Sequence, residues 1–202
     1  MSAAAGLRRR SLLALAAWAP LVQLRAGAQL EEPLADSVRS ALSAAVHNSA
    51  PPVPEFSDPS ARVHYQAWLA DTGKRLASRM PEASVREEFL ATLWYEAKRA
   101  GLDAALVLAV VQVESAFRKF ALSRVGARGF MQVMPFWARL IGDGDPGVLF
   151  HTQANLRFGC VILRHYLDRE SGDLFMALGR YNGSRGQPQY PDAVLAARSG
   201  WD

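Results

Sequence analysis

The chain has 202 residues, half of them apolar, with 23 basic and 19 acidic residues and one cysteine. That length buries one ordinary core with room for a helical extension, and it is too short for two large domains. A lone cysteine excludes an intramolecular disulfide framework, and the four histidines, His47, His64, His151 and His165, show no close metal-ligand spacing, so no metal and no cofactor are expected.

The N-terminus reads as a targeting segment. Arg8, Arg9 and Arg10 are followed by an apolar run from Leu12 to Leu24, too short to cross a bilayer comfortably, and Ala26-Gly27-Ala28 offers the small residues of a cleavage site. A buried first helix is the alternative, but Pro20 interrupts it and the charge sits at one end. Residues 1–28 are therefore expected to be a signal peptide, with cleavage after Ala28 and a periplasmic mature chain. Arg9-Arg10-Ser11-Leu12-Leu13 resembles a twin-arginine signal. The leader takes four arginines and no acid with it, which leaves 19 basic against 19 acidic residues. The excess positive charge thus belongs to the leader, and a nucleic-acid partner is not expected. No cysteine lies near the cleavage site to accept a lipid anchor.

Residues 30–48 have helical spacing and end at Pro51-Pro52-Val53-Pro54, the best linker candidate. Residues 29–82 are expected to be a helical N-terminal extension and residues 83–202 the main domain. Helices are predicted over Ala61–Met80 and Ser84–Ala100, where Ser84 and Glu87 suggest a capping box and Gly101 closes the second. Asp103 then caps Ala104–Glu114, a stretch with almost no polar face and hence a buried central helix. Its β-branched content would also suit a strand, but the helices on both sides favour a helix. Met134–Ile141, Ala154–Leu167, Leu174–Tyr181 and Pro191–Arg198 complete an all-α reading. Cys160 lies in an apolar helical pattern and reads as buried filler rather than a nucleophile.

Glu114 ends the apolar helix where the chain enters a glycine-containing loop. Desolvation and the negative end of the helix dipole both disfavour a charged carboxylate there, so the group suits a general acid. The bland alternative is a surface carboxylate paired with Arg118 or Lys119. The glycines at Gly126 and Gly129 let the backbone take positive φ or approach a bulky ligand. Gln132 offers a donor and an acceptor, and Met134 a soft apolar wall, although methionines in such a pattern are more often core.

Glu114-Ser115-Ala116-Phe117, Ala121-Leu122-Ser123, Gly126-Ala127-Arg128-Gly129-Phe130-Met131-Gln132-Val133-Met134-Pro135, Asn155, Gly159, Tyr166-Leu167 and Tyr181-Asn182-Gly183 occur in that order. Together they resemble the soluble-type lytic transglycosylases, the SLT-domain family with a goose-lysozyme-like α fold. The resemblance implies an enzyme that cleaves the MurNAc–GlcNAc β-1,4 bond of peptidoglycan glycan strands and leaves 1,6-anhydroMurNAc ends. It implies Glu114 as the single acid/base and Tyr181 as a hydrogen-bond partner of that carboxylate. Ser115, Ser123, Gly126, Gln132, Met134 and Asn182 would contact substrate, Ser123 near its acetamido group. Two departures from the family pattern bear on subsites: Arg118-Lys119 stands where Asn-Pro is usual, and Arg180 where a small residue is usual.

Most glycosidases need two carboxylates, and only one is supported by motif here. The resemblance implies that the substrate's acetamido group stabilises the oxocarbenium ion and that its C6 hydroxyl is the nucleophile. Asp143 and Asp145 read as loop caps, but either could activate water and make the protein a hydrolytic lysozyme. A non-catalytic glycan-binding scaffold, or a transglycosylase that docks on an envelope-spanning machine through residues 29–82, are the remaining readings.

Overall fold

A computed structural model describes residues 29–47, 54–56 and 58–202. The expected leader and residues 51–53 of the proline run lie outside the described residues. Eight α-helices follow in order: α1 (Asp36–His47), α2 (Pro59–Leu76), α3 (Ala83–Arg99), α4 (Ala104–Ser115), α5 (Pro135–Ile141), α6 (Thr152–Arg169), α7 (Leu174–Asn182) and α8 (Gln189–Arg198). A 3-10 turn spans Pro146–Phe150. Among the described residues the only β pairings are isolated bridges at Leu122–Arg128 and Arg128–Val133, so the all-α expectation holds.

The helix boundaries follow local chemistry. Asp103 accepts from the Ala105 amide at 3.1 Å and starts α4 as expected. Gly101, at φ 64°, ends the α3 region, and the Leu102 amide reaches back to Ala97 O at 2.8 Å. Asp58 caps α2 through the Ser60 amide at 2.9 Å, and Pro59 occupies the first helical position. The capping box expected at Ser84 does not form. Helix α3 starts one residue earlier, at Ala83, and the Ser84 hydroxyl donates to the Glu82 carboxylate at 3.1 Å.

Helix α4 is the centre of the molecule, with every residue from Ala104 to Val111 buried. Its neighbours are α3 on one side and α8 on the other, while α6 packs against α3, α7 and α1. Burying each Leu or Val contributes about 1.5–3 kcal/mol relative to leaving it in water, so a helix with no polar face is stable only in this central place. Cys160 is buried in α6, and burial pushes its thiol far up, in keeping with a filler role.

The buried carboxylate Glu96 links α3 to α6. It accepts from Arg157 Nη2 at 2.8 Å and Nε at 3.1 Å, from Gln153 at 3.2 Å and from Arg99 at 3.1 Å. The same arginines reach the end of α1: Arg157 donates to Val46 O at 3.4 Å, and Arg99 donates to Ala45 O. His47 Nε2 meets Asp143 at 2.7 Å, and Val46 is buried. Helix α1 therefore packs on α5 and α6. From sequence, residues 29–54 are expected to be dispensable for the chemical step. With these contacts, deleting residues 29–47 is expected to lower the melting temperature, because Val46 alone contributes about 1.5–3 kcal/mol. An unchanged melt would show that α1 contributes nothing to the globule.

Candidate active site

Glu114 occupies the last turn of α4 and is only 5% exposed. The chain then turns sharply through two left-handed residues that are not glycine, Ala116 at φ 49° and Phe117 at φ 64°. Each costs about 1–3 kcal/mol and persists only where packing fixes it. Here the Phe117 ring is clamped edge-on against Phe89 and Trp201, at 6.1 Å and 5.6 Å between centroids. The strain lies directly after the candidate catalytic carboxyl and fixes its exit geometry.

The loop from Ala116 to Met134 is tied from within and from α6. Ser123 Oγ accepts from the Ala127 amide at 3.0 Å, and Gly126 at φ 89° completes that turn. The Gln132 amide nitrogen donates to Ala121 O at 3.1 Å and Gly129 O at 3.0 Å. Asn155 donates from Nδ2 to Arg128 O and to Leu149 O, both at 2.8 Å, and accepts from the Met131 amide at 2.8 Å. Gly129, at φ 74°, is required there, since a Cβ would lie 2.3 Å from Asn155 Nδ2 and 2.5 Å from Leu149 O.

A phenol reaches Glu114 from a position that the sequence does not single out. Tyr190, at the start of α8, donates its hydroxyl to Glu114 Oε1 at 2.6 Å. Tyr181 is wholly buried in α7, and its hydroxyl donates to Met131 O at 2.8 Å. The family resemblance ties Tyr181 to the carboxylate. In the structure the Tyr181 phenol supports the loop, and the contact with Glu114 comes from a residue 76 positions along the chain. Nothing local in Gln189-Tyr190-Pro191 marks it; the one available signal is a helical face shared with Val194, which is buried too. Burial, and next the charge of Glu114, push both phenols well above their ordinary range, so each remains a neutral donor.

The other expected site residues separate into two groups. Ser115 is 1% exposed and its hydroxyl donates to Val111 O at 3.0 Å, so it faces the helix rather than a ligand. Gln132 is 2% exposed and its amide nitrogen is engaged within the loop. Ser123, Gly126 and Met134 keep partial exposure. Asn182 donates from Nδ2 to Ser184 Oγ at 3.0 Å, while its buried Oδ1 has no partner among the described residues. Met134 caps α5, and its amide donates to Gln29 Oε1 at 3.5 Å, which brings the N-terminal segment to this loop.

Arg180, expected to add charge to the cleft, is held in an ion network instead. It pairs with Glu32 at 2.9 Å and with Glu170. Arg185 chelates Glu170 at 2.8 Å and 2.9 Å and, together with Arg180, holds that carboxyl down at about 2. Asp143 is bound to His47, and Asp145 caps the 3-10 turn through the Gly147 amide at 2.7 Å. No group of three or more His, Cys, Asp or Glu side chains that could hold a metal occurs among the described residues.

The two tyrosines predict different mutant phenotypes. Tyr190→Phe removes the phenol donor on Glu114 Oε1 and is expected to slow the reaction roughly tenfold to a hundredfold, the effect of about 1–3 kcal/mol in the transition state, besides lowering stability by stranding a buried acceptor. Tyr181→Phe leaves the Met131 carbonyl without its buried donor and is expected to cost about 1–3 kcal/mol of stability. Initial rates and thermal melts of both variants check this; the reverse pattern would return Tyr181 to the catalytic role.

Residues 93–191 match the family model described as the transglycosylase SLT domain. Among curated proteins, the transglycosylase of Enterobacteria phage PRD1 is 38% identical over 89 residues, covering 44% of this chain and 32% of that protein. Membrane-bound lytic murein transglycosylase C of Actinobacillus pleuropneumoniae is 37% identical over 75 residues, covering 33% and 20% respectively. The chain thus spans a third or less of the length of these relatives. Among solved structures, an inactive mutant of the lytic transglycosylase Slt from Pseudomonas aeruginosa superposes with a TM-score of 0.50 at 24% identity, covering 70% of this chain and 29% of that one. That likeness shows the lysozyme-like helical fold. The matched segment contains Glu114, its loop, Asn155 and both tyrosines, so the site lies wholly within the stretch that matches the transglycosylase SLT domain.

Proposed function

We propose that the chain is an exported peptidoglycan lytic transglycosylase acting in the periplasm with Glu114 as its one acid/base. The observation that carries this reading is the buried Glu114 carboxyl held at 2.6 Å by a neutral phenol within an SLT domain. A single carboxyl must act first as acid and then as base from one position, and Tyr190 fixes that position without adding a positive charge. Protonated Glu114 gives its proton to the glycosidic oxygen as the bond from MurNAc C1 breaks. The substrate's own acetamido group stabilises the oxocarbenium ion. The carboxylate then takes the proton of the C6 hydroxyl as that oxygen closes on C1, and the carboxyl is restored for the next cycle. No water is consumed, and the product ends in 1,6-anhydroMurNAc.

The hydrolytic alternative needs a second carboxylate free to activate water. Its two candidates are engaged elsewhere, Asp143 with His47 and Asp145 with the Gly147 amide. In the proposed groove the half-buried Ser123 and Met134 and the Oδ1 of Asn182 contact the glycan, and Gly126 lets it approach the backbone. Ser115 and Gln132 act one step back, by holding the end of α4 and the loop. Clearing of a purified sacculus suspension without a gain in reducing ends is the expected result; clearing with a matching gain in reducing ends would indicate a hydrolase.

A further inference from the structure

The loop that follows Glu114 carries more exposed apolar side chain than any other part of the described chain. Phe120 is 73% exposed, Leu122 64% and Val125 57%, three large hydrophobics within six residues. The other exposed large hydrophobics, Leu30, Val63, Val85 and Leu195, are scattered singly. Scattered residues are ordinary, whereas a cluster on one loop marks a contact surface. The tip is not a floppy segment: the Ser123 amide donates to Ala127 O at 3.0 Å, the Gly126 amide to Ser123 O at 3.0 Å, and Leu122 bridges to Arg128.

Charge on the same stretch is one-sided. Between Glu114 and Asp143 the chain has Arg118, Lys119, Arg124, Arg128 and Arg139 and no acidic residue, although the chain after the leader has 19 basic and 19 acidic residues in all. Lys119 Nζ lies 5.6 Å from the Phe120 ring centroid, and Arg128 lies 5.5 Å over Phe150, which is itself 6.2 Å from Phe120. Cations are thus interleaved with apolar groups at the loop's surface. Peptidoglycan has no anion along its sugar backbone, and the carboxylates of its peptide stems would answer the cations but offer no apolar slab for Leu122 and Val125. A bilayer with anionic headgroups supplies both, the phosphates for the basic groups and the acyl boundary for the apolar tips.

We propose that Phe120, Leu122 and Val125 form a membrane-contacting foot that enters the interface of an anionic bilayer, with Arg118, Lys119 and Arg124 engaging its phosphates, while Ser123 and Gly126 of the same loop serve the glycan groove. The foot would hold the catalytic loop at the membrane face of the wall. This goes beyond the catalytic reading and does not depend on it.

The test uses the purified chain with a polarity-sensitive fluorophore at Val125→Cys; Cys160 is 1% exposed and does not compete for the label. A second preparation carries the label at Gln66→Cys on α2. Vesicles containing phosphatidylglycerol are expected to shift the label at 125 to the blue, reversibly with salt, and to leave the label at 66 in water. Vesicles of phosphatidylcholine alone are expected to give a much weaker shift. The double variant Phe120→Ser/Leu122→Ser should melt normally and bind the anionic vesicles roughly tenfold or more weakly. An aqueous label at 125, an equal shift at both positions, or a double variant that binds vesicles like the parent would overturn the proposal. So would a double variant that keeps vesicle binding but loses affinity for sacculi, which would make Phe120 and Leu122 glycan contacts.

Discussion

Glu114→Gln is expected to fold like the parent and to lose on the order of 100- to 10,000-fold in the rate of sacculus solubilisation. The amide has the shape of the carboxyl, and its carbonyl oxygen still accepts the Tyr190 hydroxyl, so the hydrogen bond between α4 and α8 survives. What disappears is the proton that must leave for the glycosidic oxygen and the base that must later take one from C6. Because the side chain is 5% exposed, water does not easily substitute for it. Melting temperature and initial rate measured on one preparation separate the two effects: an unfolded variant would speak to structure, and a folded, active one would remove Glu114 from the mechanism.

Arg157→Ala is expected to produce the largest loss of stability. It would leave Glu96, 1% exposed between α3 and α6, with only Arg99 and Gln153 as partners, and would also remove the donor to Val46 O. Breaking a buried pair by removing one member costs about 3–5 kcal/mol, and the surviving partners place this case near the lower end. For a domain of this size each kcal/mol shifts the melting temperature by roughly 2–4 °C, which gives a drop of about 6–12 °C. Replacing both residues, as Glu96→Met with Arg157→Leu, should recover most of that loss, since the penalty arises from a stranded charge rather than from lost contact. A double variant as unstable as Arg157→Ala would show that the network is needed for packing in its own right.

The parts of the fold legible in sequence are those fixed by near neighbours. Asp103 caps α4 two residues on, Gly101 closes α3 with its own left-handed φ, and the unbroken apolar face of Ala104–Val111 has no stable place except the core. Glu114 was visible for the same reason, as a carboxyl at the end of a helix that tolerates none. Ser84 failed as a cap because Glu82 competes for its hydroxyl, a preference that a two-residue motif does not contain. Tyr181 and Tyr190 show the larger limit. Which phenol reaches Glu114 depends on how α7 and α8 cross α4, and that is decided by packing between segments far apart in the chain. The docking of α1 is of the same kind, since Arg157 and Val46 O are separated by 111 positions. Arg180 looked like a change of subsite charge, but Glu32 and Glu170 engage it, and neither lies in the motif where Arg180 was noticed.

In the proposed reaction one carboxyl passes a proton from the C6 hydroxyl to the leaving oxygen without water entering the bond. Mass spectrometry of the muropeptides released from purified sacculi reads the fate of that bond. Fragments ending in 1,6-anhydroMurNAc, lighter by one water than the hydrolysed product, are expected, and they should be absent with Glu114→Gln. Fragments that end in reducing MurNAc, or no fragments from folded parent protein, would contradict it.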